Sequence, residues 1–226
     1  MAKHKTTRKE LLKSPDEFMT LSSRAITFFA AHVRELKIVG IVIGSLALIY
    51  LGGHAYFRYT NNKGQEAYNK AFYAVRQVTQ GAVNPDNLVK AETMFQRVVD
   101  DYGLSKAAKL ALPQVAYAKF VNGRYDDAIA LYREFLDRIS DRPEYASLTK
   151  LALAGCYEGK GDLKTAQETL TPLYEQQDNP FRETAMVGLA RLYRMDNRTE
   201  EEKKVLREFI ESFPDSPFVG EAKARL

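Results

Sequence analysis

The sequence predicts an all-α protein, a single transmembrane helix followed by an α-solenoid of antiparallel helix hairpins. Two observations carry that prediction. The twenty residues from Ile38 to Phe57 contain no Lys, Arg, Asp or Glu and a single histidine, His54, near their end. As a helix rising about 1.5 Å per residue they reach about 30 Å, the thickness of a bilayer's hydrocarbon core. Beyond them a helix–turn–helix pattern recurs, with turn residues Gly123, Gly161 and Asn197 spaced 38 and 36 residues apart, a period that belongs to stacked helical hairpins.

Residues 1–37 form a basic tail with eight Lys/Arg against four Asp/Glu. After the basic stretch MAKHKTTRKELLK, a helix is predicted from Ser14, with Ser14 as N-cap, Pro15 at the first helical position and Glu17 three residues after the cap. Phe18, Leu21, Ala25, Phe29 and Val33 follow at helical spacing. The segment reads either as a helical lead-in to the span or as an amphipathic helix lying in the inner headgroup region or against a membrane partner.

Residues 38–57 are the predicted span. The first fifteen residues beyond it carry three Lys/Arg, so the positive-inside bias puts the tail in the cytoplasm and residues 58–226 outside it. Tyr50, Tyr56 and Phe57 suit an aromatic belt at the exit interface. A cleaved signal peptide is the competing reading, since Gly53-His54-Ala55 offers small residues at the inspected positions. The 37 residues ahead of the apolar core argue against it, because whole signals run about 15 to 30. A buried core helix also fits poorly with so long an apolar run between a basic tail and a repetitive domain.

The outer region holds 25 basic and 25 acidic residues. The pI near 9.0 therefore reflects the tail, and points to topology and anionic lipid rather than to nucleic acid. Cys156 is the only cysteine, which excludes an intrachain disulfide and leaves stability to a packed core.

After a short polar stretch, Thr60 to Gly64, helices are predicted throughout. In LPQVAYAKFVNGRYDDAIALYREFL a first helix carries Leu112, Val115 and Ala116, Gly123 breaks it, and a second carries Ala128, Leu131, Tyr132 and Phe135. The next copy sets Leu153, Ala154 and Tyr157 before Gly161, then Leu163, Ala166 and Leu170. The third sets Leu189, Ala190 and Tyr193 before Asn197, then Leu206, Phe209 and Pro214. An earlier, looser copy has Ala74 and Gly81, then Ala91, Phe95 and Val98. Two antiparallel helices approach closely only across small side chains, the role assigned to Ala116 against Ala128 and Ala154 against Ala166. Tight turns need residues that accept positive φ, here Gly123, Gly161 and, less easily, Asn197. One hairpin cannot bury its own apolar face, so successive hairpins stack.

At these residues the chain resembles the tetratricopeptide repeat family, over roughly residues 64 to 226. Two departures stand out. Glu202 takes the place of the second-helix alanine in the third copy, which implies a more open or rotated hairpin, and Leu112, Lys150 and Met186 replace the usual early aromatic of the first helix. FPDSPFVGEAKARL is expected to form a terminal cap. The layout of tail, span and outer repeats is similar to the ancillary SecYEG translocon subunit (YfgM-like) family. That resemblance implies a bacterial inner-membrane protein with a periplasmic repeat domain that binds periplasmic chaperones and translocating chains beside the translocon. An envelope-assembly or cell-division scaffold is the alternative.

The resemblance also implies a concave groove lined by the first helix of each hairpin. Its expected contact residues are Tyr117, Phe120 and Val121, then Leu151 and Glu158, then Arg191, Arg194 and Met195. One end is aromatic and the other basic, which suits a peptide segment with apolar side chains and a nearby carboxylate. The bland reading of Tyr117 and Phe120 is that they pack on the following helix.

Nothing in the sequence points to catalysis, a metal or a cofactor, and the chain reads as a non-enzyme with protein or peptide partners and no small-molecule substrate. His4, His32 and His54 all lie in the tail or span, leaving the outer domain without an imidazole. Cys156 sits mid-helix, where a small buried hydrophobe is the expected role. No Gly-rich phosphate loop is present. Asp126-Asp127 and Glu200-Glu201-Glu202 sit at helix starts, where the helix dipole accounts for them.

Overall fold

The computed structural model describes residues 17–78, 85–139 and 142–226. All of its regular elements are helices: α1 (Glu17–Ala31), α2 (Val33–Val78), α3 (Pro85–Asp101), α4 (Lys106–Val121), α5 (Tyr125–Arg138), α6 (Pro143–Gly159), α7 (Leu163–Glu175), α8 (Arg182–Met195), α9 (Thr199–Ser212) and α10 (Val219–Lys223). The chain divides into two units, Met1–Tyr56 and Phe57–Leu226. The predicted cap at Ser14 and Pro15 and the turn glycine Gly81 lie outside the described residues.

Among the described residues, α2 is the helix long and apolar enough to cross a membrane. Its apolar side chains, from Ile38 through Ile41, Val42, Leu46, Leu48 and Ile49 to Tyr56, are exposed all round the helix. A buried core helix of a soluble protein has the opposite pattern.

The second unit is a stack of hairpins: the end of α2 with α3, α4 with α5, α6 with α7, and α8 with α9. Each helix from α3 onward packs on the next, and α10 closes the stack against α9. The four alanines are core residues of one cluster, Ala116, Ala128 and Ala166 being fully buried and Ala154 nearly so. The three later turns share one geometry. Gly123 (φ +70°), Gly161 (φ +79°) and Asn197 (φ +58°) take the left-handed conformation, and in each the next N–H bonds back five residues: Arg124 to Lys119 O at 2.9 Å, Asp162 to Tyr157 O at 2.9 Å, Arg198 to Tyr193 O at 2.8 Å. This is the Schellman closure, which satisfies carbonyls that the helix end would leave bare. Neighbouring turns are tied by polar contacts. Lys119 donates to Glu92 at 3.1 Å, Lys160 pairs with Asp126, and Gln167 donates to Asp196 at 3.2 Å while accepting from Arg198 at 3.0 Å.

Three details differ from the sequence reading. The polar stretch Thr60–Gly64 is helix, continuous within α2. Its polar residues make tertiary contacts: Thr60 is buried, and Asn61 Oδ1 accepts the Lys106 N–H at 2.9 Å, at the start of α4. In the first hairpin the fully buried small residue is Ala71, packed with Phe95, Val98, Ala107, Ala111 and Val115, whereas Ala74 is only half-buried. Glu202 does not open the last hairpin, since α8 and α9 pack as extensively as α6 and α7. It lies in the first turn of α9, where a carboxylate is favoured by the helix dipole.

Gly64 packs against the residues that lead into α4. A Cβ there would lie 2.6 Å from Ser105 Oγ and 3.1 Å from Tyr102 Cβ. Ser105 is itself fully buried and caps α4, its Oγ accepting from Ala108 N–H at 3.0 Å. Gly64→Ala in mid-helix would ordinarily gain up to about 1 kcal/mol. Here the overpacking and the disturbed cap are expected to reverse the sign and cost about 1 to 3 kcal/mol. A thermal melt of the detergent-solubilised chain reads this, and an unchanged or raised melting temperature would mean that α2 has slack at this contact.

Candidate functional site

The first helices of the hairpins present a second apolar stripe besides the one they bury. On α4 the buried set is Ala107, Ala108, Ala111, Leu112, Val115, Ala116 and Ala118, while Leu110, Tyr117 and Val121, at spacings of seven and four, are exposed. On α6 the corresponding residues are Tyr145 and Leu148. These stripes border a cleft of about 410 Å³. Tyr68 of α2, Leu110 of α4, and Tyr145, Leu148 and Ala152 of α6 line its walls, with Tyr132 and Phe135 of α5 between them. Phe135 and Tyr145 meet edge to face at 6.4 Å. Burial pushes the Tyr132 phenol far above its usual range and Tyr68 upward, so both rings stay neutral and protonated at physiological pH.

A second cleft, about 280 Å³, lies at the other end of the stack. Val187, Leu206 and Phe209 give it apolar walls, and Arg191, Arg194 and Arg225 bring guanidinium groups to it. Arg191 donates to Glu158 at 2.6 Å, and Arg225 pairs with Glu221. Arg194 is exposed and has no ion pair among the described residues.

The residues expected from the sequence are thus gathered only in part. Arg191 and Arg194 share the second cleft, and Glu158 is bound to Arg191. Tyr117, Val121 and Met195 are exposed. Phe120 turns towards the core: it packs against the buried cluster, 5.7 Å from the Tyr125 ring and facing Gly155. Leu151 also packs on that cluster. Sequence reasoning missed Tyr68, Leu110, Tyr145 and Leu148. Their signal was the second stripe itself, apolar residues at helical spacing off the buried face.

Reactive chemistry is sparse. Cys156 is fully buried, and burial pushes its thiol up to about 11, so at neutral pH it is protonated and a poor nucleophile. Among the described residues no group of three or more His, Cys, Asp and Glu side chains is placed to hold a metal ion.

Models of the tetratricopeptide repeat match residues 88–143, covering α3 to α5, and residues 184–216, covering most of α8 and all of α9. Two solved structures share the fold. One is a Podosopora anserina protein with nearly identical TPR-like repeats, provisionally designated a kinesin light chain, which matches with a TM-score of 0.54 at 16% identity over 70% of this chain and 77% of that one. The other is a tetratricopeptide repeat protein from Parabacteroides merdae, with a TM-score of 0.56 at 14% identity over 71% of this chain and 59% of that one. Identities this low speak for the fold alone. No curated protein matches the sequence.

Proposed function

We infer from the tetratricopeptide repeats at residues 88–143 and 184–216 that the chain is a membrane-anchored module whose second unit holds protein or peptide partners. The observation that carries this reading is the open cleft walled by Tyr68, Leu110, Tyr145 and Leu148, an apolar surface that no described residue fills. An extended or helical segment seats apolar side chains there, and an acidic group on the same segment meets Arg194 at the far end. Tyr117, Val121 and Met195 extend the contact surface.

The proposed layout has residues 1–37 in the cytoplasm, 38–57 across a bacterial inner membrane and 58–226 in the periplasm. The eight-to-three Lys/Arg asymmetry supports that orientation. The resemblance to ancillary translocon subunits suggests translocon subunits and periplasmic chaperones as partners. Protease added to spheroplasts should degrade residues 58–226 and leave a membrane-bound amino-terminal fragment; a mature protein beginning at Tyr56 would rule out the anchor. With a photo-crosslinking residue at Leu148, adducts to translocon subunits or periplasmic chaperones are expected in intact membranes. Adducts confined to cell-wall or division proteins would favour an envelope scaffold. Adducts from the exposed Arg207 but none from Leu148 would move the interface off the cleft.

A further inference from the structure

The first unit carries an apolar face that no other described residue covers. On α1, Ile26, Phe28 and Phe29 are exposed, as is Val33 at the start of α2. Ile26, Phe29 and Val33 share one side of the helix, Arg24, Thr27 and Arg34 fall across from it, and Phe28, four residues after Arg24, sits at the border between the two. Thr27 Oγ1 donates to Ser23 O at 2.8 Å, so this hydroxyl is satisfied within the helix. α1 and α2 are separated by His32 alone. The His32 N–H bonds to Phe28 O at 3.1 Å, and the Leu36 N–H bonds to His32 O at 2.9 Å, so the polar stripe keeps its register across the junction.

Glu17 to Phe57, if wholly helical, measures about 60 Å, twice a hydrocarbon core of about 30 Å. α1 therefore has no room in the span that residues 38–57 occupy, yet its apolar face is unsuited to water. We propose that α1 lies in the cytoplasmic headgroup layer of the bilayer that α2 crosses, bending at the His32 junction, with Ile26 and Phe29 among the acyl chains and Thr27 towards water. The proposal rests on the membrane-anchor reading. Two features select lipid over a protein surface as the occupant. The apolar face runs directly into the apolar span, and the eight Lys/Arg against four acids of residues 1–37 complement anionic headgroups.

The chain has no tryptophan, so a single introduced one reports its own surroundings. The full chain would be reconstituted in phosphatidylethanolamine–phosphatidylglycerol vesicles as three variants, Phe29→Trp, Thr27→Trp and Leu46→Trp. Lipids brominated near the headgroup should remove most of the Phe29→Trp emission, lipids brominated near the chain end most of the Leu46→Trp emission, and aqueous iodide most of the Thr27→Trp emission. Iodide quenching Phe29→Trp as strongly as Thr27→Trp would place α1 in water and overturn the proposal. Shielding of Phe29→Trp from both quenchers would overturn it in favour of a protein contact, and deep quenching of both α1 tryptophans would overturn it in favour of insertion. If any of these occurs while Leu46→Trp is quenched as expected, only the α1 proposal fails. An unquenched Leu46→Trp removes the anchor reading and the proposal together.

Discussion

Glu208→Ala is expected to cost the second unit about 3 to 5 kcal/mol, because it strands a buried cation. Arg182, the first residue of α8, is buried. Its Nε donates to Tyr174 O at 2.9 Å, and its Nη2 donates to Glu208 at 2.6 Å. The guanidinium also lies 5.8 Å from the ring centroids of Tyr174 and of Phe213. Glu208 accepts in addition from the Tyr174 hydroxyl at 2.5 Å, so one carboxylate joins α7, α8 and α9. Arg182→Met should cost less, since the Glu208 side chain is one-third exposed and water can take over its solvation. Combining Arg182→Met with Glu208→Leu should recover most of the loss. Urea titration of the three variants checks this, and equal midpoints for wild type and Glu208→Ala would show the network to be energetically idle. The same bond holds the Tyr174 phenol up at about 12, with burial adding to it. A phenol whose folded pKa lies above its unfolded value contributes stability that is complete below the unfolded pKa and is lost as pH rises through the folded one. Alkali should therefore erode stability between about 10 and 12, and Tyr174→Phe should flatten that slope.

Ala128→Leu and Ala166→Leu are expected to destabilise by about 1 to 3 kcal/mol or slightly more. Both alanines are fully buried in the core cluster that also holds Ala116 and Ala154, the partners assigned to them from the sequence. Three added carbons have nowhere to go unless the helices separate. Asp127→Leu, one residue away, serves as the control. Asp127 is exposed and accepts from Arg124 at 3.0 Å, a surface pair worth about 1 kcal/mol at most. Equal thermal melts for Ala128→Leu and Asp127→Leu would refute the assigned helix contact.

Why the hairpins were legible follows from these residues. Gly123, Gly161 and Asn197 announce left-handed turns because few other residues tolerate that backbone, and around the two glycines alanine at a fixed distance on either side leaves little choice of contact. The features that escaped are those in which distant chain segments redefine a residue's role. Asn61 and Gly64 read as a polar stretch because composition does not reveal that α4 starts against them, some 40 residues later. Arg182 looks like any charge at a helix start until Glu208 and two aromatic rings enclose it. Phe120 was expected at the partner surface, but its ring packs on the core cluster beside Tyr125, against the next hairpin at Gly155. The cleft needed four helices to assemble before Leu110, Tyr145 and Leu148 could be seen as one surface.

The contact between Arg191 and Glu158 gives the basic end of the proposed groove an internal rival for any ligand. A partner carboxylate that takes the Arg191 Nη2 position must displace the carboxylate already bound there at 2.6 Å, so that exchange itself yields little free energy. Arg194, which has no such rival among the described residues, offers its charge to the partner. Charge at that end therefore sorts partners more than it holds them. A merely acidic chain gains little by evicting Glu158. A segment that also fills the neighbouring space between Val187 and Phe209 gains enough to make the exchange worthwhile, and selectivity follows from the coincidence of the two.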